Sequence, residues 1–314
     1  ISPAVQDYLS EADVVLAIGT ELGEADSFIY NLPVNGKLIR IDIDSARFSD
    51  AFPADIAVHG DARIACTQLI EALDGLKIGT ASSDTVAVLE KVRARQFADY
   101  TAVERQHIML LELLREEVPD NGIIMGDIAQ LVYTGTAAMK TLLPRTWFYP
   151  AGFGTLGCAL PDAIGAKFAL PQIQVLALVG DGGFMFTVNE LATAVEESLS
   201  IPVIIWHNHS YAMIRDGMIK RGIPTIGVNP VAPDFVKLAE SFGALGLRAE
   251  KPEEIDGVID EMLKSDRMTI VDVRIHQLEN CFPMIPSGAA HNEMLLGPAD
   301  EAETPVSEEG MVLV

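Results

Sequence analysis

Unbroken apolar runs alternate along this chain with stretches of helical period. Val5 to Leu9 reads as helix, Asp13-Val14-Val15-Leu16-Ala17-Ile18-Gly19 as strand, and Lys37 to Asp44 (KLIRIDID) as a second strand. Gly60-Asp61-Ala62 then opens a helix through Leu73. Gly79-Thr80-Ala81-Ser82-Ser83 and a charged helix behind it read as a linker over residues 76–104. Further on, Gly122 to Met125 and Gln174 to Val179 (QVLALV) are apolar without polar alternation, the mark of strands buried on both faces. Thr187-Val188-Asn189-Glu190 has capping-box spacing and predicts a helix through Glu197. Ile201 to Trp206 is another apolar strand, followed by a helix over Phe235 to Phe242 and a strand over Met268 to Val273. Strands alternating with helices predict an α/β protein with two doubly wound, mainly parallel sheets. The expected parts are residues 1–75, the linker 76–104, a domain over 105–277, and an acidic tail 278–314 whose end reads as disordered.

Composition narrows the function classes. With 314 residues, 49% of them hydrophobic, the chain can bury the cores of two domains. A formal charge of −23 argues against nucleic acid and anionic membrane surfaces as partners. Cys66, Cys158 and Cys281 are too few and too scattered for a disulfide framework or a zinc site, which suits a reducing cytoplasm. No apolar run reaches the ~18 residues that span a bilayer. The start, Ile1-Ser2-Pro3, has neither Met nor a signal-peptide pattern, so the chain is expected to begin in mid-protein.

The chemistry concentrates at Gly180-Asp181-Gly182-Gly183 and at His207-Asn208, which begins 24 positions after Gly183. Each follows an apolar strand, and a right-handed crossover brings both to one carboxyl edge, where open α/β sheets bind ligands. One carboxylate and one amide oxygen, with a backbone carbonyl at Ser210 and phosphate oxygens, suit a hard octahedral cation such as Mg²⁺. The bland alternative is an Asp-Gly turn with His207 and Asn208 as loop residues.

This spacing resembles the thiamine-diphosphate motif of the acetolactate synthase and 2-oxo acid decarboxylase family: GDG, some two dozen residues, then NN. His207 departs from it; Asn208 keeps the second Asn. The resemblance implies Asp181, Asn208 and the carbonyl of Ser210 as metal ligands, with Gly182, Gly183 and Tyr211 as further cofactor contacts.

Gly152-Phe153-Gly154-Thr155-Leu156-Gly157 is literally GxGxxG, so a dinucleotide site is the rival reading. Only the short Trp147-Phe148-Tyr149 precedes it, and no acid ends a second strand about 20 residues on. The run Gly154 to Lys167 (GTLGCALPDAIGAK) instead resembles the same family's GxMGxxLPxAIGAK, with an apolar helix from about Leu160 to Ala169. By that resemblance Leu156 wedges the cofactor into its bent form, the carbonyl of Gly154 accepts from its amino group, and Thr155 is a further cofactor contact. The plain reading of Leu156 is a core leucine. In Gly126-Asp127-Ile128-Ala129-Gln130, Gln130 is a candidate cofactor contact, though Asp and Gln are also ordinary turn residues.

"ADVVLAIGTELGE", "RIDID" and "VHGDA" resemble part of the family's central domain, and Glu279 to Gly288 resembles the acetolactate synthase tail that folds over the active site. The family's activating glutamate sits in a pyrimidine-binding domain that nothing here resembles. Glu21, Glu24, Glu104 and Glu112 read as exposed acids. The active site is therefore expected between subunits of a homodimer or homotetramer, with the glutamate from another chain and this chain alone inactive. The implied activity is thiamine-diphosphate- and Mg²⁺-dependent decarboxylation of a 2-oxo acid. Arg221 to Val228 (RGIPTIGV) resembles the 5-guanidino-2-oxopentanoate decarboxylase branch, but Met213 stands where that branch has an acid to pair a guanidinium. Acetolactate synthase-type carboligation is the alternative, without FAD, since Gly19 to Glu24 offers acids where a flavin site carries arginine. A non-catalytic subunit that binds diphosphate or nucleotide is the alternative of another class.

Overall fold

The computed structural model describes residues 1–23, 27, 29, 31–76 and 83–274. They fall into two compact units divided between Tyr100 and Thr101. Glu24 and the tail 278–314 lie outside the described residues.

The first unit has a three-stranded parallel sheet in the order β1 (Val14–Ile18), β2 (Lys37–Asp42) and β3 (Ile56–His59). Helix Pro3–Ser10 starts at Ser2, whose side chain accepts from the N–H of Val5, and helix Ala62–Leu73 starts at Asp61, which accepts from Arg63 and Ile64. Both caps satisfy donors that the first helical turn leaves open. Arg40 on β2 is buried, and its guanidinium donates to Asp50 Oδ1 at 2.7 Å and to the carbonyls of Phe52 and Thr20 at 2.9 Å. That pairing is what makes a buried charge tolerable. The charged helix of the expected linker forms as Ser83–Asp99 and packs on Pro3–Ser10, with Arg95 reaching Asp7 at 2.6 Å.

The second unit is one six-stranded sheet, all parallel, in the order β5-β4-β6-β7-β9-β8. The strands are β4 (Ile123–Gly126), β5 (Trp147–Phe148), β6 (Val175–Gly180), β7 (Pro202–His207), β8 (Leu245–Ala249) and β9 (Thr269–Arg274). Alternate residues feed opposite faces. Val175, Ala177, Val179, Val203, Ile205 and Ile270 join one apolar cluster with helix Ala159–Ala169 and Phe235. Leu176, Leu178, Ile204, Trp206, Val271 and Val273 join the other with Leu110, Leu111, Leu114, Ile259 and Met262. Cover on both faces is why β6 and β7 carry no polar alternation.

Two sequence expectations are corrected here. Thr187 does not cap a helix: Val188–Glu190 is a 3₁₀ turn before helix Leu191–Glu196, and the Thr187 hydroxyl donates to the carbonyl of Gly157 at 2.7 Å. The hydroxyl is turned towards that tertiary acceptor, and its oxygen takes no hydrogen bond from the N–H groups of the turn. Glu104 is not an exposed acid. It is buried and closes a capping box with Thr101 at the start of helix Ala102–Glu117. Burial pushes its carboxyl up to about 7, against two hydrogen bonds from Thr101 that favour the charged form. Glu21 and Glu112 are exposed, as expected.

The chain leaves β4 for the edge strand β5 and returns to place β6 on β4's other side. That reversal between β4 and β6 opens a crevice at the carboxyl ends of the strands.

Candidate functional site at the strand carboxyl ends

A cavity of about 210 Å³ occupies this crevice. Loops after four strands line it: Ile128 to Gln130 after β4, Gly154 and Leu156 after β5, Asp181 to Gly183 after β6, and Asn208 with Ser210 to Ile214 after β7. Gln130, Gly154, Leu156, Asp181, Gly182, Gly183, Asn208, Ser210 and Tyr211 are thus brought together. Thr155 is exposed and outside the lining.

The two glycines after Asp181 are required by packing. A Cβ on Gly182 would collide with the Tyr211 ring, and one on Gly183 would collide with Asp127 Oδ2. Leu156 is half-buried, and its Cδ2 lies 3.6 Å from where a Gly183 Cβ would be, so it faces the Asp181 turn rather than the deep core. Gly157 has φ +84°, and a Cβ there would sit 2.7 Å from Phe186 Cβ. Only glycine meets both demands.

Asp181 is almost fully buried, and its Oδ2 has no hydrogen-bond partner. Burial raises its carboxyl pKa; nearby His207 and the N–H of Gly182 work against that. A buried oxygen left open in this way costs about 1–3 kcal/mol unless a cation or donor meets it. Asn208 donates through Nδ2 to Gln130 Oε1 at 3.1 Å, and its Oδ1 accepts from the N–H of Ser210 at 3.1 Å. Gln130 therefore orients the amide whose oxygen the sequence assigned to a metal. The Ser210 hydroxyl lies 3.0 Å from the carbonyl of Val228 and 2.9 Å from Asn229 Oδ1, which pins the loop.

Three features escaped the sequence reading. Asp127 is fully buried, and its carboxylate accepts from the N–H of Gly157 at 2.8 and 3.0 Å and from that of Ile128 at 2.8 Å. His207 is no loop residue; it ends β7, buried, with Nδ1 2.7 Å from Asp272 Oδ1. Finally, helices Gln130–Ala138 and Ala212–Lys220 both start at the cavity without a side-chain cap. Their open N–H groups and dipoles favour an anion there. The signal was present as an absence: Ala129 and Tyr211 stand where Ser, Thr, Asp or Asn would cap.

Residues 127–273 match the family model for the C-terminal, cofactor-binding domain of thiamine pyrophosphate enzymes, and residues 1–69 match that for the central domain. The chain belongs to the thiamine pyrophosphate enzymes. Among its relatives, the probable 2-ketoarginine decarboxylase AruI of Pseudomonas aeruginosa is 36% identical over 269 residues, covering 85% of this chain and 48% of that protein. A probable acetolactate synthase large subunit of Methanococcus aeolicus is 31% identical over 90% of this chain and 50% of its own length. The acetolactate synthase isozyme 3 large subunit of Escherichia coli is 29% identical over 92% of this chain and 52% of its own length. The chain thus spans about half the length of the curated relatives it matches.

The cavity suits that cofactor's diphosphate: open helix starts for the phosphate oxygens, and a buried carboxylate oxygen with no partner beside them. Among the described residues, no three or more His, Cys, Asp and Glu side chains cluster as a metal site. A cation here would draw on one carboxylate, one amide and main chain, and on the diphosphate itself.

Proposed function

We propose that the second unit holds thiamine diphosphate through Mg²⁺, with Asp181, Asn208 and the main-chain carbonyl of Ser210 as protein ligands. The protein then serves non-oxidative decarboxylation of a 2-oxo acid. The observation that carries this reading is the unpartnered Oδ2 of Asp181 beside Asn208, between two uncapped helix starts at the sheet's switch point. Mg²⁺ accepts such oxygen-only, substrate-assisted coordination. Bound there, the cofactor supplies an electron sink for loss of CO₂. Leu156 and Gly154 are the residues proposed to set its conformation, and Gln130 holds Asn208.

Met213 lines the cavity, and among the described lining residues Asp181 is the sole carboxylate. Within this unit a guanidinium side chain would find no second carboxylate, so 5-guanidino-2-oxopentanoate, which the likeness to AruI suggests, would need an acid from a covering segment, whereas an uncharged 2-oxo acid would not. Carboligation of the acetolactate synthase type is the second reading, favoured by relatives bearing that name at 29–31% identity.

Around the cavity Phe153 is 98% exposed, Phe186 59% and Ile214 56%. We propose that a segment of another subunit covers them and brings the activating glutamate, in a homodimer or homotetramer working in the cytoplasm. No described helix is long and apolar enough to cross a membrane. The test is CO₂ release by the complete assembly from linear, branched and guanidino 2-oxo acids. Turnover should require both Mg²⁺ and thiamine diphosphate and be best with an uncharged side chain. Turnover that survives removal of either would overturn the reading.

A further inference from the structure

We propose that the main-chain carbonyl of Val228 aims the Ser210 carbonyl at the cation, which makes Val228 a positioning residue and lets the loop before it, residues 221–227, set cation affinity. The proposal rests on the reading of the Ser210 carbonyl as a cation ligand and goes beyond it. That carbonyl shares one peptide unit with the N–H of Tyr211, which donates to the Val228 carbonyl at 2.8 Å. A peptide unit is planar, and in its trans form the C=O points away from the N–H. Holding the N–H on Val228 therefore fixes the direction of the Ser210 oxygen, away from Val228. Ser210 and Tyr211 both line the cavity, whereas residues 221–229 do not.

The Ser210 hydroxyl makes a second tie, 3.0 Å from the same Val228 carbonyl and 2.9 Å from Asn229 Oδ1. A carbonyl oxygen has lone pairs enough for both the hydroxyl and the Tyr211 N–H. The turn does not keep this shape by itself. His209, just before Ser210, has φ +57°, a left-handed conformation that residues with a side chain rarely adopt. Within the turn the N–H of Ser210 reaches Asn208 Oδ1 at 3.1 Å, but the Ser210–Tyr211 unit is tied to Val228. Val228 itself is 4% exposed, so the anchor is seated in the molecule. The loop before it is exposed throughout, with Ile226 at 80%. Gly227 has φ +71° and open space where a Cβ would stand, so the position needs glycine for its backbone and not for room. The chain enters Val228 through that residue, and the direction of the anchoring carbonyl depends on it.

The test is Mn²⁺ binding to the chain in the presence of thiamine diphosphate, followed by electron paramagnetic resonance, for wild type, Ser210→Ala, Gly227→Val, Gly227→Asn and Asp181→Ala. Thermal melting without cation is recorded for each. Ser210→Ala keeps the main-chain ligand and loses the hydroxyl tie, so it should raise the Mn²⁺ Kd about 10-fold. Gly227→Val cannot hold the left-handed backbone without strain. It should raise the Kd about 10–100-fold, the usual range for partners behind a metal ligand, and alter the bound-Mn²⁺ spectrum. Asparagine visits that backbone region readily, so Gly227→Asn should stay near the wild-type Kd and spectrum. Ser210→Ala decides the matter if Gly227→Val fails to fold. Ser210→Ala and Gly227→Val variants that melt lower yet bind Mn²⁺ as the wild type does would make the tie merely structural and overturn the proposal alone. So would Gly227→Asn binding as weakly as Gly227→Val. If Asp181→Ala also binds as the wild type does, the cation is not held in this cavity, and the reading of Ser210 as a ligand falls with it.

Discussion

Asp127 holds the N–H of Gly157 with both carboxylate oxygens, 2.8 and 3.0 Å away, across 30 residues of sequence. The same carboxylate lies against Gly183, where a side chain could not fit. One buried acid thus ties the loop after β4 to the loop that carries Gly154 and Leu156 and to the turn that carries Asp181. Removing it leaves the buried N–H of Gly157 without an acceptor, at about 1–3 kcal/mol, and the part-buried N–H of Ile128 at less. Asp127→Ala should therefore lose roughly 2–4 kcal/mol in urea unfolding, and bind thiamine diphosphate more weakly. Wild-type stability in that variant would mean that the loop is held some other way.

Gly182→Ala should displace the Tyr211 ring, costing on the order of 1–3 kcal/mol and weakening cofactor binding. Because the clash is with one side chain, Tyr211→Ala should relieve it. A double-mutant cycle should then show coupling of roughly 0.5–3 kcal/mol. Additive effects would place the two residues out of contact.

Leu156→Ala tests whether this half-buried leucine shapes the cofactor. Turnover by the complete assembly should fall more than cofactor affinity does, since a shaping contact acts on the reacting form. Equal losses, or gross instability, would mark it as a packing residue.

His107 gives a pH signature. Burial against Trp206 and Thr134 pushes its imidazole down to about 3. The unfolded chain takes up this proton below pH ~6.5 while the folded chain does not. The contribution to stability is therefore complete above that pH and is lost as pH falls from ~6.5 towards 3, on the order of 4 kcal/mol by pH 3.5. His107→Phe, which keeps a ring against Trp206, should show a shallower loss in urea unfolding between pH 6.5 and 4. Parallel curves for the two proteins would contradict this account of His107.

The parts of the fold legible in sequence were those written locally. The unpolarised runs of β6 and β7 and the glycines around Asp181 fixed two strand ends at one edge, because burial on both faces leaves no room for alternation. What stayed hidden depends on distant partners. Thr187 has capping spacing, yet its hydroxyl goes to Gly157, 30 residues away. His207 looks like an imperfect Asn until Asp272, 65 residues on, is seen beneath it. Glu104 reads as a solvated acid because its burial comes from packing that sequence periodicity does not reveal. The uncapped helix starts at Gln130 and Ala212 were visible in the letters, but as missing caps, which carry meaning only once both are seen to open on one cavity.

The most direct measurement is calorimetric titration of thiamine diphosphate, with Mg²⁺ present, into the wild-type chain and Asp181→Ala. The wild type should bind, and should fail to bind when Mg²⁺ is chelated. Asp181→Ala should lose binding while keeping the wild-type circular dichroism, since Oδ2 has no hydrogen-bond partner to forfeit and the carboxylate's hydrogen bonds are to main-chain N–H groups of its own turn. Unchanged affinity in Asp181→Ala would contradict the assignment of this cavity to the metal-held diphosphate.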